Sequence, residues 1–160
     1  MPQGFSRLQI ALHWVVFLLI VAQFVFHEPI SDAWEALSKG QEVDPSPLVG
    51  LHVFGGILIL ALVVLRLYVR LTRGAPALPA EEPAPLKFVA HITHWALYAL
   101  MLLLPLSGIG AWFAGAEQAA EVHETFKGLL LILVLLHVLG ALFQQFVLKT
   151  NIMERMKRPG

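Results

Sequence analysis

The feature that most constrains this chain is a set of four apolar stretches, each about as long as a membrane is thick. Crossing the hydrocarbon core takes about 20 residues of α-helix at roughly 1.5 Å per residue. The four stretches cover approximately residues 8–26, 48–71, 88–113 and 122–148. They use most of the 160 residues, so the sequence predicts an all-α integral membrane four-helix bundle with one domain over residues 1–160.

The composition agrees with a lipid environment. Of the residues, 58% are hydrophobic and 14% are charged, whereas a soluble domain carries about 25% charged residues. The first stretch is as long as a membrane span, so we expect a retained helix and not a cleaved signal peptide. Because there is no cysteine, disulfides, iron–sulfur clusters and thiolate ligands are excluded, and histidine becomes the leading candidate for a metal ligand.

The basic residues fix the orientation of the bundle. Nine of the eleven Lys and Arg residues fall on the side of the termini and of the second loop, and only Lys39 and Lys127 fall on the other side. The positive-inside rule therefore places both termini in the cytoplasm. With the acidic residues included, the inner face carries +6 and the outer face −6. The outer connections are expected to be an acidic loop over residues 27–47 and a short turn over 114–121, and prolines are expected to keep the inner loop, 73–87, extended.

Five histidines lie in or at the margins of the predicted spans: His13, His52, His94, His123 and His137. Ionisable residues in a membrane are costly and usually functional. His123 and His137 are 14 residues apart, so on one helix they lie within roughly 40° of the same face and about 21 Å apart along the axis. Since one metal cannot bind both, the spacing predicts two centres at different depths.

The topology supplies a partner for each of these two histidines. His13 lies at the inner level of His137, and His52 lies at the outer level of His123. Two imidazoles on facing helices suit a flat macrocycle whose iron is bound from both sides, whereas zinc needs further ligands. The sequence therefore predicts two b-type haems. Two alternatives remain: the histidines are only hydrogen-bonded polar residues of the core, or the chain is a haem-free proton or metal carrier.

Glycines near these histidines indicate where space is available. Gly55 lies close to His52, Gly128 lies between the two histidines of the fourth span, and Gly140 follows His137 by three residues. Missing side chains can make room for a porphyrin, but they can equally serve close helix packing.

Several segments together resemble the bacterial cytochrome b561 family. They are FSRLQIALHW in the first span, LHVFGG and LRLYVRL in the second, AHITHW and LLPLSGIGAW in the third, and HETFKG and LHVLGAL in the fourth. The resemblance covers nearly the whole chain. It implies a multi-pass protein of the bacterial inner membrane with two haem b groups, a quinone partner and the ligands His13, His52, His123 and His137, the same four that spacing selects.

The resemblance also implies possible activities. One member of the family oxidises superoxide on the periplasmic side and reduces ubiquinone, and other relatives are cytochrome subunits of hydrogenase-like complexes. This chain departs from the family at Gln144 and Gln145, where members often carry two adjacent histidines, and at Glu121, where the superoxide-oxidising relative has a lysine before the histidine. An outer face of −6 would repel superoxide. Lys127 can still present a local positive charge to superoxide, or it can simply reach the interface.

Other side chains are candidates for binding the ligands. His91, His94 and Trp95 begin the third span, where His94 can donate a proton to ubiquinone and Trp95 can cover its head group. His91 and Trp95 can instead belong to the membrane interface.

Arg7 and Arg66 are candidates for binding haem propionates, although positive-inside topology also explains arginines there.

The expected function is electron transfer from an outer donor to ubiquinone, as a superoxide:ubiquinone oxidoreductase. A periplasmic or membrane redox protein is the competing donor, in which case the chain is a non-enzymatic relay between that partner and the quinone pool. The expected partners are the lipid bilayer, ubiquinone and the donor, with no nucleic acid.

Overall fold

The computed structural model describes residues 4–43, 46–77 and 82–160. Its helices are α1 Arg7–Val25, α2 Glu28–Ser38, α3 Pro47–Arg73, α4 Ala84–Ala114 and α5 Glu117–Phe146. All but α2 are long and apolar enough to cross a membrane. The predicted four-helix membrane bundle is therefore confirmed. Because the number of spans is even, both termini lie on one side, which is the basic, cytoplasmic side.

The helix ends explain the differences from the predicted boundaries. Ser6 begins α1 with a capping box, in which its side chain accepts from the Gln9 amide and the Gln9 side chain accepts from the Ser6 amide. Gly115 ends α4 in the left-handed conformation, with φ 61°, which glycine adopts without steric cost. Helix α5 starts only two residues later, at Glu117, so the predicted outer turn is shorter than expected.

Two predicted loops need correction. The segment predicted as an acidic outer loop contains the helix α2, which packs against α3. Its apolar residues, such as Ala33 and Trp34, alternate with acidic ones, so the segment has a low mean hydropathy. The inner loop ends earlier than expected, because α4 begins at Ala84 with Pro85 in its first turn, where a missing N–H costs no hydrogen bond. Of the prolines in these two loops, Pro45 and Pro79 lie outside the described residues, as do the acidic residues Asp44 and Glu81.

The centre of the bundle is a small apolar core. Its buried residues come from all four spans and are Val16, Ile59, Val63, Leu97, Tyr98, Leu100, Met101 and Leu130. Leu130 lies midway along α5 between His123 and His137, so the packed core separates the two histidine levels. Large apolar side chains on the outside of the bundle, such as Leu131 and Leu135, stay exposed, as expected of a surface that contacts lipid.

Candidate functional site

The structure brings together the two histidine pairs that depth matching predicts. The ring centroids of His13 and His137 are 6.4 Å apart, and those of His52 and His123 are also 6.4 Å apart. An imidazole nitrogen binds a metal at about 2.0–2.1 Å and lies about 1.1 Å from the ring centre, so two rings on opposite sides of one ion have centroids about 6.3 Å apart. Both pairs therefore have the separation that a shared ion requires.

The composition of these sites favours haem over a bare ion. Within residues 4–43, 46–77 and 82–160, no group of three or more His, Cys, Asp or Glu side chains is placed to hold a metal. A structural zinc ion would need four ligands, whereas haem iron already has four from its macrocycle and needs only two axial ligands. Two imidazoles per site fit haem.

The predicted outer ligand His123 contacts the backbone of α4. Its Nδ1 donates to the carbonyl oxygen of Leu104 at 2.8 Å, and the hydroxyl of Ser107 lies 3.3 Å from the same nitrogen. A carbonyl can only accept, so Nδ1 carries the hydrogen and Nε2 keeps its lone pair. Metal-bound histidines usually donate their other ring nitrogen to such an acceptor. The contact thus prepares His123 for ligation through Nε2.

Gly108 allows the His123 ring to lie directly on the backbone of α4. A Cβ at Gly108 would be 2.9 Å from Cε1 of His123 and 3.0 Å from Nδ1. Any side chain there would displace the ring, so Gly108 belongs to the outer site, although the sequence assigned it no such role.

The two glycines that follow His52 have different surroundings. A Cβ at Gly55 would collide with the side-chain amide of Gln23 in α1, which donates to the backbone carbonyl of His52 at 3.2 Å. Gly56 instead lines the cavity beside His52 and His123. Gly55 therefore serves the approach of α1 to α3, while Gly56 leaves space beside the outer pair.

An outer cavity of about 870 Å³ opens beside the outer pair. Helix α2 forms one wall, with Trp34, and Trp112 of α4 and Lys127 of α5 also line it. Its volume lies within the range of about 300–1,000 Å³ that is common for ligand sites. Sequence reasoning missed this wall because it predicted a loop in place of α2.

Both outer lysines are paired with acids. Lys127 lies 2.5 Å from a carboxylate oxygen of Glu124, and Lys39 forms an ion pair with Glu35. The hydrogen bond from Lys39, and then its charge, lower the pKa of the Glu35 carboxyl. Lys127 thus lines the cavity beside the outer pair, but its charge is largely compensated, and its role toward superoxide stays a prediction.

The inner pair contacts Arg66. A guanidinium nitrogen of Arg66 lies 2.8 Å from Nδ1 of His13, and the guanidinium also lies over the Tyr98 ring, 5.4 Å from its centroid. Arginine only donates, so Nδ1 of His13 accepts. Ligation through Nε2 requires a hydrogen on Nδ1, and Arg66 must then leave this contact for another acceptor. Arg7 is exposed in the first turn of α1, two turns before His13.

His94 joins the inner pair from α4. Its ring centroid is 5.1 Å from that of His137, and its Nδ1 donates to its own helix at the Ala90 carbonyl, at 2.6 Å. His91 and Trp95 contact each other, since the indole N–H donates to Nε2 of His91 at 3.1 Å. Trp95 is 41% exposed. The structure thus places His94 beside an expected ligand, and His91 and Trp95 at the bundle surface.

The two remaining predicted glycines, Gly128 and Gly140, lie exposed on α5. A Cβ at either would meet no described atom within 4 Å. No neighbouring helix of the described chain therefore occupies the space beside them, and their proposed role in making room for a porphyrin stays a prediction.

A glutamate near the inner end of the bundle is buried, which the sequence did not predict. Glu82 is only 4% exposed, and one of its oxygens accepts from the side chain of Gln144 at 2.6 Å. Gln144 and Gln145, where the chain departs from the family's adjacent histidines, thus bind within the chain: Gln144 donates to Glu82 and Gln145 to Asn151.

Comparison with known proteins gives consistent matches over the full length. The family model for prokaryotic cytochrome b561 matches residues 4–159. A protein named cytochrome b562 from Cereibacter sphaeroides is 37% identical, with 98% of this chain and 96% of that protein covered. A probable superoxide oxidase, CybB, from Yersinia pestis is 29% identical, with 98% and 97% covered. Cytochrome b561 homolog 1 of Escherichia coli is 27% identical, with 95% and 96% covered.

Proposed function

Because the chain belongs to the prokaryotic cytochrome b561 family, whose members are haem b electron carriers of the bacterial inner membrane, we propose that it moves electrons from an outer donor to ubiquinone. One observation carries the proposal: two histidine pairs, at opposite ends of the bundle, share the ring separation that an ion between them requires.

Each pair would hold one haem b, the outer one between His52 and His123 and the inner one between His13 and His137. Bound haem supplies a one-electron redox centre at each level. The chain orients the outer ligand His123 through the Leu104 carbonyl. At the inner level, Arg66 would exchange its contact with Nδ1 of His13 for a haem propionate, which accepts strong, charge-assisted hydrogen bonds from a guanidinium.

Ubiquinone would bind beside the inner pair. His94 is the candidate proton donor, because its ring lies 5.1 Å from that of His137. Its Nδ1 hydrogen is held by the Ala90 carbonyl, so Nε2 would first take up a proton from the cytoplasmic side and then pass it to the quinone. The exposed pair of His91 and Trp95 supplies an aromatic surface on the same helix that a quinone head group can reach from the lipid.

Superoxide is the donor that we propose first. The support is the likeness to a protein named as a probable superoxide oxidase and the position of Lys127 in the cavity next to the outer histidines. A specific observation favours a second candidate, a basic redox protein for which the chain acts as a relay. Both outer lysines are compensated by acids, so the −6 face attracts cations and repels a small anion.

The ligand assignment is tested by a reduced-minus-oxidised spectrum with haem quantification. We expect a b-type band and two haems per chain. His52→Ala or His123→Ala should remove one haem and spare the other, and loss of both or of neither would contradict the pairing. His91→Ala, which removes an exposed histidine outside both pairs, is the control and should retain two haems.

The donor is tested by Glu124→Gln, which releases Lys127 from its ion pair and removes one negative charge. Haem reduction by superoxide should become a few times faster, whereas reduction by a basic protein should become slower. Glu28→Gln removes the same charge from the outer face and leaves the ion pair of Lys127 intact. If Lys127 itself guides superoxide, Glu124→Gln must change the rate of haem reduction more than Glu28→Gln does. Added salt should speed the reaction with superoxide and slow that with a basic protein.

A further inference from the structure

We propose that Gln23 positions the outer ligand His52 by accepting a hydrogen bond from its Nδ1. The proposal rests on the proposed role of His52 as a haem ligand. It gives a function to a polar side chain of α1 that the sequence analysis did not single out.

The first observation is a pair of complementary atoms without partners. The side-chain oxygen of Gln23 and Nδ1 of His52 are both buried, and among the described residues neither has a hydrogen-bond partner. One atom can only accept and the other can donate. Buried polar atoms nearly always find a partner, and the two side chains line the same small cavity together with His123.

The second observation is that the backbone holds Gln23 against His52. The Gln23 amide nitrogen donates to the carbonyl oxygen of His52 at 3.2 Å. Gly55, one turn farther along α3, has no side chain at the place that the Gln23 amide occupies. Any other residue at position 55 would push the amide away, so the contact between α1 and α3 is built around Gln23.

The third observation is that the other predicted ligand of the outer pair, His123, already has such an acceptor. His123 has a fixed acceptor, the Leu104 carbonyl, for its Nδ1 hydrogen. A histidine bound to iron through Nε2 carries its hydrogen on Nδ1, and an acceptor there fixes the ring and makes it a stronger ligand. Gln23 is the side chain placed to give His52 the corresponding acceptor, because its unpartnered oxygen lines the same cavity as the unpartnered Nδ1 of His52.

The consequence is a shift of the outer haem's reduction potential. A stronger imidazole ligand stabilises ferric over ferrous iron, and outer-shell partners of this kind change metal affinity by about tenfold or more. For a one-electron couple, a tenfold change corresponds to about 59 mV. Removing the acceptor should therefore raise the midpoint potential of the outer haem, by about 59 mV if the affinity for ferric haem falls tenfold more than that for ferrous haem, and should leave the inner haem unchanged.

The experiment is a spectroscopic redox titration of the full-length protein with both haems bound. Gln23→Met keeps the size of the side chain and removes both hydrogen bonds, whereas Gln23→Glu keeps an acceptor oxygen and removes the amide donor. We expect Gln23→Met to raise the outer potential and Gln23→Glu to restore or lower it. If Gln23 only joins α1 to α3 through its amide nitrogen, both variants lose that hydrogen bond and should have the same outer potential. Equal potentials in the two variants would therefore overturn the proposal.

Two further variants complete the test. Gln118→Met makes the same chemical change at an exposed position on the outer end of α5 and should leave both potentials unchanged. If Gln23→Met does not fold, Gly55→Ala displaces the Gln23 amide while keeping Gln23, and an unchanged outer potential in that variant would also overturn the proposal. Retention of both haems in His52→Ala would refute the proposed ligation itself, and is a separate result from an unchanged potential in the Gln23 variants.

Discussion

Replacing Gly108 with alanine tests how the outer site is built. The new methyl group would lie 2.9 Å from Cε1 and 3.0 Å from Nδ1 of His123, whereas ordinary contacts begin at 3.4 Å. The imidazole must therefore move by about half an ångström, which takes its 2.8 Å hydrogen bond to Leu104 beyond good geometry. Such a bond contributes about 0.5–1.5 kcal/mol, so outer haem affinity should fall by about twofold to tenfold.

The same substitution strengthens α4 itself. Alanine is favoured over glycine inside a helix by roughly 0.5–1 kcal/mol, so general unfolding is not the expected outcome. We expect the Gly108→Ala protein to bind its outer haem about twofold to tenfold more weakly, measured by titrating haem into the haem-depleted protein and following the spectrum. Gly50→Ala is the control, because a Cβ there meets no described atom within 4 Å. An outer haem affinity in Gly108→Ala equal to that of the control would refute the reasoning.

Three further predictions concern the inner end. Arg66→Leu should lower the inner haem's midpoint potential, because a nearby positive charge favours the reduced form; an unchanged potential in a redox titration would place Arg66 away from that haem. Gln144→Leu should reduce the free energy of unfolding by about 1–3 kcal/mol, since it leaves the buried Glu82 carboxyl without this donor; the double variant with Glu82→Leu should recover much of the loss, and denaturation in detergent measures both. Trp14→Phe removes the 2.8 Å hydrogen bond to the Met156 carbonyl and should speed proteolysis of the C-terminal segment; an unchanged cleavage rate would show that this bond does not hold the segment.

The sequence alone determined the spans, the orientation and the levels of the histidines. In a membrane every backbone polar group must be paired, so an apolar stretch of sufficient length becomes a helix whatever its neighbours are. Charge asymmetry then fixes which end is cytoplasmic. Helical rise is constant, so the depth of His123 and His137 follows from their positions in the chain.

The tertiary structure decided which groups of the neighbouring helices contact each histidine. The carbonyl of Leu104 at His123, the amide of Gln23 at His52 and the guanidinium of Arg66 at His13 all come from other helices. These contacts depend on the rotation and close approach of helices far apart in sequence, which small residues such as Gly55 and Gly108 permit. Helix α2 escaped prediction for a different reason: its 11 residues, Glu28–Ser38, are amphipathic and too short to span a membrane, so the length and hydropathy that identify the spans do not detect it. Depth in the membrane is a local property of the chain, whereas lateral contact between helices is not.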